Sequence, residues 1–234
     1  MKWFFLSISV IVIIGIAYLS PKNYVFASLM DGGDQFFNAN TEVEVFKTQP
    51  DGLSSIGSVD IFTNKLQFQL PQDWQLAFSR SENNMSTSEF ISTKSSLNMW
   101  SEMICVQGFK GLGRHASPKV FFAEMVGSYK GNCQGELIYQ PLGETQFGDK
   151  NAYHALLGCS SLPNLHQAEH ASSMSQLQGE MGYFAVVSLD NDLMMLHKSM
   201  RGGAFSNDNA PLTEDNYLAF IEHLQPNILS SNHE

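Results

Sequence analysis

The chain has 234 residues, a formal net charge of −10, 17 Phe and 12% aromatic residues. That aromatic content supports a packed core rather than disorder, and the length suits one ordinary domain behind a leader. The acidic balance, with Lys and Arg scattered, excludes an electrostatic footprint for nucleic acid and a basic patch for anionic lipid.

Met1 and Lys2 form a short positive start, and Trp3–Leu19 then runs WFFLSISVIVIIGIAYL without a charge. Ser20, Pro21, Lys22 and Asn23 break the run, and Val25-Phe26-Ala27 offers a cleavage site before Ser28. This is the grammar of a secretory signal peptide over residues 1–27. The apolar run is also at the lower limit of a membrane span, about 17–25 residues, so an uncleaved membrane anchor is the competing reading. The first cysteine is Cys105, so a lipid-modified N-terminus is not expected. The sequence thus predicts a periplasmic or secreted protein, or one held at the membrane only through residues 1–27.

Residues 28–64 read as a lead-in with one strand candidate, Glu42–Phe46. A single α+β domain is expected over residues 65–234. Leu66-Gln67-Phe68-Gln69-Leu70 alternates as a half-buried strand does, and so does Trp74-Gln75-Leu76-Ala77-Phe78 after the Pro71-Gln72-Asp73 turn. Phe90-Ile91 marks a short strand in a Ser/Asn/Thr-rich stretch, and Trp100–Phe109 marks a longer one. Ser117 and Pro118 open a helix as N-cap and first residue; Phe121, Phe122, Met125, Val126 and Tyr129 share its apolar face, and Gly131 ends it. Glu136–Gln140 and Thr145–Phe147 are short strands around Pro141, and Asn151–Cys159 is another. Ser160–Gln178 is a polar loop. Gly182–Leu189 and Asp192–Met200 form a hairpin across Asp190-Asn191, and the first is apolar on both faces, as a central strand covered on two sides must be. A last helix opens at Thr213, has Tyr217, Leu218, Ile221 and Leu224 as its apolar residues, and stops at Pro226. This order predicts a mostly antiparallel sheet flanked by helices, an α/β/α sandwich.

Three cysteines allow three pairings. Cys105 lies in the apolar run Met103-Ile104-Cys105-Val106, which suits a buried thiol; Cys133 follows the helix and Cys159 ends a strand, so a Cys133–Cys159 disulfide is favoured. The alternative is three unpaired buried thiols.

The layout resembles the PsbP-like fold family, whose members include photosystem extrinsic subunits, Ran-binding proteins and bacterial lipoproteins of the DcrB type. The resemblance rests on Leu70-Pro71-Gln72-Asp73-Trp74, the helix after Ser117-Pro118, the paired late strands and the closing helix, over roughly Leu66–Leu224. The chain is also similar to uncharacterised exported bacterial proteins that share a Trp-Ser-Glu-Met strand like Trp100–Met103 and two spaced cysteines. The family resemblance implies a binding or assembly module without catalytic residues.

His166-Gln167-Ala168-Glu169-His170 has the H-x-x-E-H form of inverted zinc peptidases. On a helix His166 and His170 would ligate zinc, with Glu169 as general base. Its polar surroundings, between Pro163 and Ser172-Ser173, favour solvated side chains instead. His154 and His197 fall in strands, where a hydrogen-bonded histidine is the ordinary explanation. Arg201-Gly202-Gly203 is a turn that could hold an anion. No G-x-G-x-x-G, Walker, C-x-x-C or G-x-S-x-G pattern appears, and no cofactor or catalytic residue is assigned. The leading expectation is an exported noncatalytic protein that binds a partner or assists envelope assembly. The alternatives are a small-ligand carrier with a pocket between sheet and helix, and a zinc-dependent hydrolase through His166, Glu169 and His170.

Overall fold

The computed structural model describes residues 43–46, 54–162 and 178–230. The apolar leader, the Val25-Phe26-Ala27 site, and His166, Glu169 and His170 all lie outside these residues. Among the described residues no helix is long and apolar enough to cross a membrane.

The chain forms a mostly antiparallel α+β structure with two sheets. The smaller sheet holds β1 (Val43–Phe46), β2 (Ser54–Ile61), β3 (Asn64–Pro71) and β11 (Asn227–Ser230), in the order β1-β2-β3-β11. The larger holds β4 (Trp74–Glu82), β5 (Met85–Ser92), β6 (Glu102–Phe109), β7 (Leu137–Phe147), β8 (Lys150–Leu162), β9 (Gln178–Leu189) and β10 (Asp192–Gly202). Its order is β4-β5-β6-β10-β9-β8-β7. Two helices, α1 (Pro118–Asn132) and α2 (Tyr217–Ile221), complete the described elements apart from short 3-10 turns.

Each face of the large sheet is covered differently. On one face α1 lays Phe121 and Phe122 onto Tyr153, Ala155, Leu157, Phe184 and Val186, with Met125, Val126 and Tyr129 at the margin. Phe122 anchors it, with ring centroids 5.6 Å from Tyr153 and 6.5 Å from Phe184. Ser117 caps the helix by accepting from the Val120 amide, and Cys133 rather than Gly131 closes it. The other face meets the small sheet: Val59, Ile61, Leu66, Phe68 and Leu70 pack on Phe90, Ile104, Val106, Val187, Met194 and Leu196. The expected second helical layer is therefore mainly a sheet, with α2 beside it.

Other elements also differ from the sequence reading, for local reasons. The span read as a lead-in contains β2, which pairs along its length with β3. Its small residues hid it: Ser55 and Gly57 share the face of Val59 and Ile61, where an alternating pattern calls for apolar residues. The two short strands around Pro141 are one strand, β7, with a bulge between Pro141 and Gly143. A bulge absorbs the proline by leaving the ladder at that point. The last helix is only Tyr217–Ile221; Thr213 sits three residues too early, and Asn216 takes the N-cap position. Strand β9 is buried almost throughout between β10 and β8, and Asp190 turns the β9–β10 hairpin in the left-handed region at φ 54°.

Cys133 and Cys159 form a disulfide, Cα atoms 5.6 Å apart, and Cys105 is a buried free thiol. The bridge closes a loop of sequence separation 26 and ties the end of α1 to β8. A Cys133→Ser, Cys159→Ser double variant should lose about 3 kcal/mol in denaturant unfolding. Thiol titration of folded, unreduced protein should find no reactive cysteine, and denaturation should release one; three titrating thiols would sink the pairing.

Candidate functional site

The large sheet is wider than α1, and that leaves part of the helix-side face to other residues. Helix α1 contacts β7, β8 and β9. Beyond β9 the side chains on this face change character. Across β5, β6, β10 and β9, one row of opposed residues reads Glu89, Cys105, His197 and Phe184. The next row reads Thr87, Gln107, Met195 and Val186. Directly opposed residues in antiparallel strands share a face and touch. Polar side chains thus cluster beside the cover of α1, whose Phe121 reaches only as far as Phe109 on β6. Leu97 and Trp100 cover the outer part of this face, against Ile91, Met103 and Cys105.

The polar row does not make an activated nucleophile. Burial first, then the charges of Glu89 and Glu180, push the Cys105 thiol well above its ordinary range. Burial pulls His197 down to about 4. Its ring stacks flat on Phe184, centroids 4.7 Å apart, and Nδ1 bonds the Ser199 hydroxyl at 3.0 Å. At neutral pH the pair is a thiol beside a neutral imidazole, whereas nucleophilic catalysis requires a thiolate.

At one end of this face, Arg201, Glu180 and Cys159 form another opposed row across β10, β9 and β8. Arg201 donates to Glu180 Oε2 from Nε at 3.1 Å and from Nη2. The pair is deeply buried, with 4% and 11% of the two side chains exposed. The guanidinium also lies over the Trp100 ring, 4.8 Å from its centroid. Tyr129, on the last turn of α1, completes the enclosure. Burial and Glu180 push its hydroxyl up, while Arg201 pulls it down.

A different surface lies at α2. Tyr217 stacks on Tyr183, centroids 5.9 Å apart, and meets His154 edge to face. His154 Nδ1 bonds the Tyr183 hydroxyl at 3.1 Å, and burial lowers the imidazole. These inward contacts fix which side of α2 faces out, and Leu218 stands there 64% exposed. Glu214, Asp215 and Glu222, three to four residues from Leu218, are exposed too. Residues 202–230 contain four acids (Asp208, Glu214, Asp215, Glu222) and no Lys or Arg. Lys198, the cation beneath α2, is turned inward: Nζ donates to the Phe220 carbonyl at 2.9 Å, pairs with Glu102 at 3.2 Å and sits 4.3 Å from the Phe220 ring centroid.

Of the residues singled out in the sequence, His154 and His197 are hydrogen-bonded strand histidines on opposite faces of the large sheet. Arg201 does not hold an anion at the turn; its charge is met by Glu180. The polar row and the Glu180–Arg201–Trp100–Tyr129 enclosure escaped sequence reading, because strand register alone brings them together.

No family model matches the chain, and no curated protein matches it. Among solved structures it is similar to the Saccharomyces cerevisiae Ran-binding protein Mog1p, at 12% identity and TM-score 0.35, covering 79% of this chain and 86% of that one. A point mutant of Mog1 gives 10% identity and TM-score 0.37 over the same shares. These neighbours belong to a different fold family from PsbP, so the PsbP-like assignment is withdrawn. A likeness of this size fixes neither family nor role.

The buried imidazole sets a pH dependence. An unfolded histidine titrates near 6.5, and folded His197 near 4. Between these values the unfolded chain takes up a proton that the folded chain refuses. The stabilisation is therefore complete above about pH 6.5 and is lost as pH falls towards 4. In denaturant titrations at pH 7 and pH 4.5, His197→Phe should remove roughly 2 kcal/mol of the wild-type pH dependence. Equal slopes with pH would show that His197 does not carry it.

Proposed function

We propose that this chain is an exported, noncatalytic protein that works by binding a protein partner in the cell envelope or outside the cell. The positively charged start, the uncharged run Trp3–Leu19 and Val25-Phe26-Ala27 support export. If the signal is kept, residues 28–64 would tether the domain to the membrane. The quiescent chemistry of Cys105 and His197 supports a role other than catalysis.

The observation that carries partner binding is the outward side of α2. Leu218 is exposed on a helix whose other side is locked by stacked aromatics, so its direction is set before any partner arrives. A preset anchor binds at a lower ordering cost than a mobile one. Glu214 and Asp215 precede the helix, where negative charge is locally favourable, but Glu222 follows its last residue, where the helix dipole disfavours it. Glu222 therefore adds to the exposed acidic rim around Leu218 rather than to the stability of the helix.

A photo-crosslinking residue at position 218, expressed in the source cell, should capture one partner protein reproducibly. The same residue at Val120, 53% exposed on α1, should not capture it, and Leu218→Ser should dissociate the native complex. Equal capture from both positions would remove α2 as the contact. N-terminal sequencing checks export: Ser28 first means cleavage, Met1 means an anchored domain.

A further inference from the structure

Asn84-Met85-Ser86 is the chain's single Asn-x-Ser/Thr triplet. The fold puts it at the tip of a hairpin. Glu82 on β4 pairs with Met85 on β5, so Asn83 and Asn84 alone make the turn, with Asn83 in the left-handed region at φ 44°. Asparagine tolerates that region better than most residues do. Asn84 is exposed, and its backbone carbonyl accepts from the Lys110 amide at 2.7 Å. The turn is thus held by its backbone, without the Asn84 side-chain amide.

Ser86 is the opposite case. It is 4% exposed, and its Oγ has no hydrogen-bond partner. It lies across from Gly108 on β6, where a Cβ would come within 2.6 Å of the Ser86 Oγ, 2.9 Å of Ile61 and 3.1 Å of the Phe62 ring. The hydroxyl is therefore shut in between β6 and the turn that joins β2 to β3. Alanine would fill the same space without an unmet hydroxyl.

We propose that Asn84 is an N-glycosylation site, modified before the chain folds. The proposal rests on the export reading, because such triplets are sugar acceptors in secreted chains. The co-substrate is an oligosaccharide joined through its anomeric carbon to a diphosphate. Asn84 Nδ2 attacks that carbon; a carbon–nitrogen bond forms as the carbon–oxygen bond to the diphosphate breaks. The diphosphate leaves with the bonding pair, Nδ2 gives up one proton, and nothing is oxidised or reduced. Transfer needs the hydroxyl two residues on, and folding hides it. The sugar therefore goes on first, and the small sheet closes over Ser86 afterwards. The finished fold leaves the sugar in solvent, where a bulky polar group belongs. It also stands at the end of β4, an edge strand of the large sheet, and hinders a second chain from pairing along that edge. Helix α2 packs on Tyr183 and His154 of β9 and β8, with β6 and β10 between them and this hairpin, so Leu218 stays open to a partner.

The test is the intact mass of the full chain purified from the source cell, with the cell fractionated to record where the chain is found. Protein recovered outside the cytoplasm should exceed the mass of its own sequence by a whole number of sugar residues. Asn84→Gln and Ser86→Ala should each lose the entire increment, and Ser86→Thr, which keeps a hydroxyl, should retain it. Made in a host that lacks the transferase, Ser86→Ala should melt at or above the wild-type temperature, which separates lost sugar from lost folding. An exported chain with no added mass, or an increment that survives Asn84→Gln, would overturn the site and leave export standing. A chain found only in the cytoplasm would overturn export, and the site with it.

Discussion

The layout follows from one mismatch of width. Seven strands spaced about 4.8 Å apart make a sheet roughly 30 Å across, while a helix with its side chains is about 10–12 Å wide. Helix α1 is the one long helix among the described residues, and it settles on β7, β8 and β9. Under it the sheet is aromatic and aliphatic: Tyr153, Leu157, Phe184 and Val186. At the far side Leu97 and Trp100 fold over Ile91, Met103 and Cys105. Between these two covers the face is not apolar, and it carries Thr87, Glu89, Gln107 and His197. The opposite face escapes the problem because a sheet, not a helix, covers it, and its core runs from Val59 to Leu224.

The sequence made legible what depends on neighbours along the chain. Ser117-Pro118 opens α1 where capping chemistry says it should, and the apolar face Phe121, Phe122, Met125, Val126 and Tyr129 is the face that packs. The double-sided apolar pattern of β9 marks it as central, because only a strand covered on both faces can be apolar on both. What remained hidden depends on register. Nothing in the spacing of Glu89, Cys105 and His197 places them abreast; the pairing of β5, β6 and β10 does. Likewise Arg201 beside Gly202-Gly203 reads as a turn, and only its position opposite Glu180 turns it into half of a buried pair. Other misreadings come from local signals overridden by tertiary packing. Pro141 suggests a break that a bulge absorbs, and Thr213 offers a cap that the helix does not use.

The two histidines show how burial assigns different roles to one residue type. His197 is flattened between a β-sheet floor and Phe184, with one ring nitrogen committed to Ser199. His154 stands at the edge of an aromatic set with Tyr183 and Tyr217, on the face that carries α2. The first holds the interior in a neutral state. The second helps fix α2 so that Leu218 points outward. Neither is set up to exchange protons with a substrate at neutral pH, since burial favours the neutral ring in both.

The end row of the sheet joins these themes. Cys159, Glu180 and Arg201 lie abreast on β8, β9 and β10, and the disulfide from Cys159 reaches the C-cap of α1. The Cys133 amide bonds the Tyr129 carbonyl at 3.1 Å, so fixing Cys133 also fixes the turn that carries Tyr129. A buried ion pair adds little net stability over an apolar contact, but losing one partner is costly. Its effect here is therefore positional. It admits one register of β9 against β10, and the disulfide then admits one placement of the end of α1 over that register. Register and disulfide together thus set Tyr129 beside the Glu180–Arg201 pair at this end of the sheet.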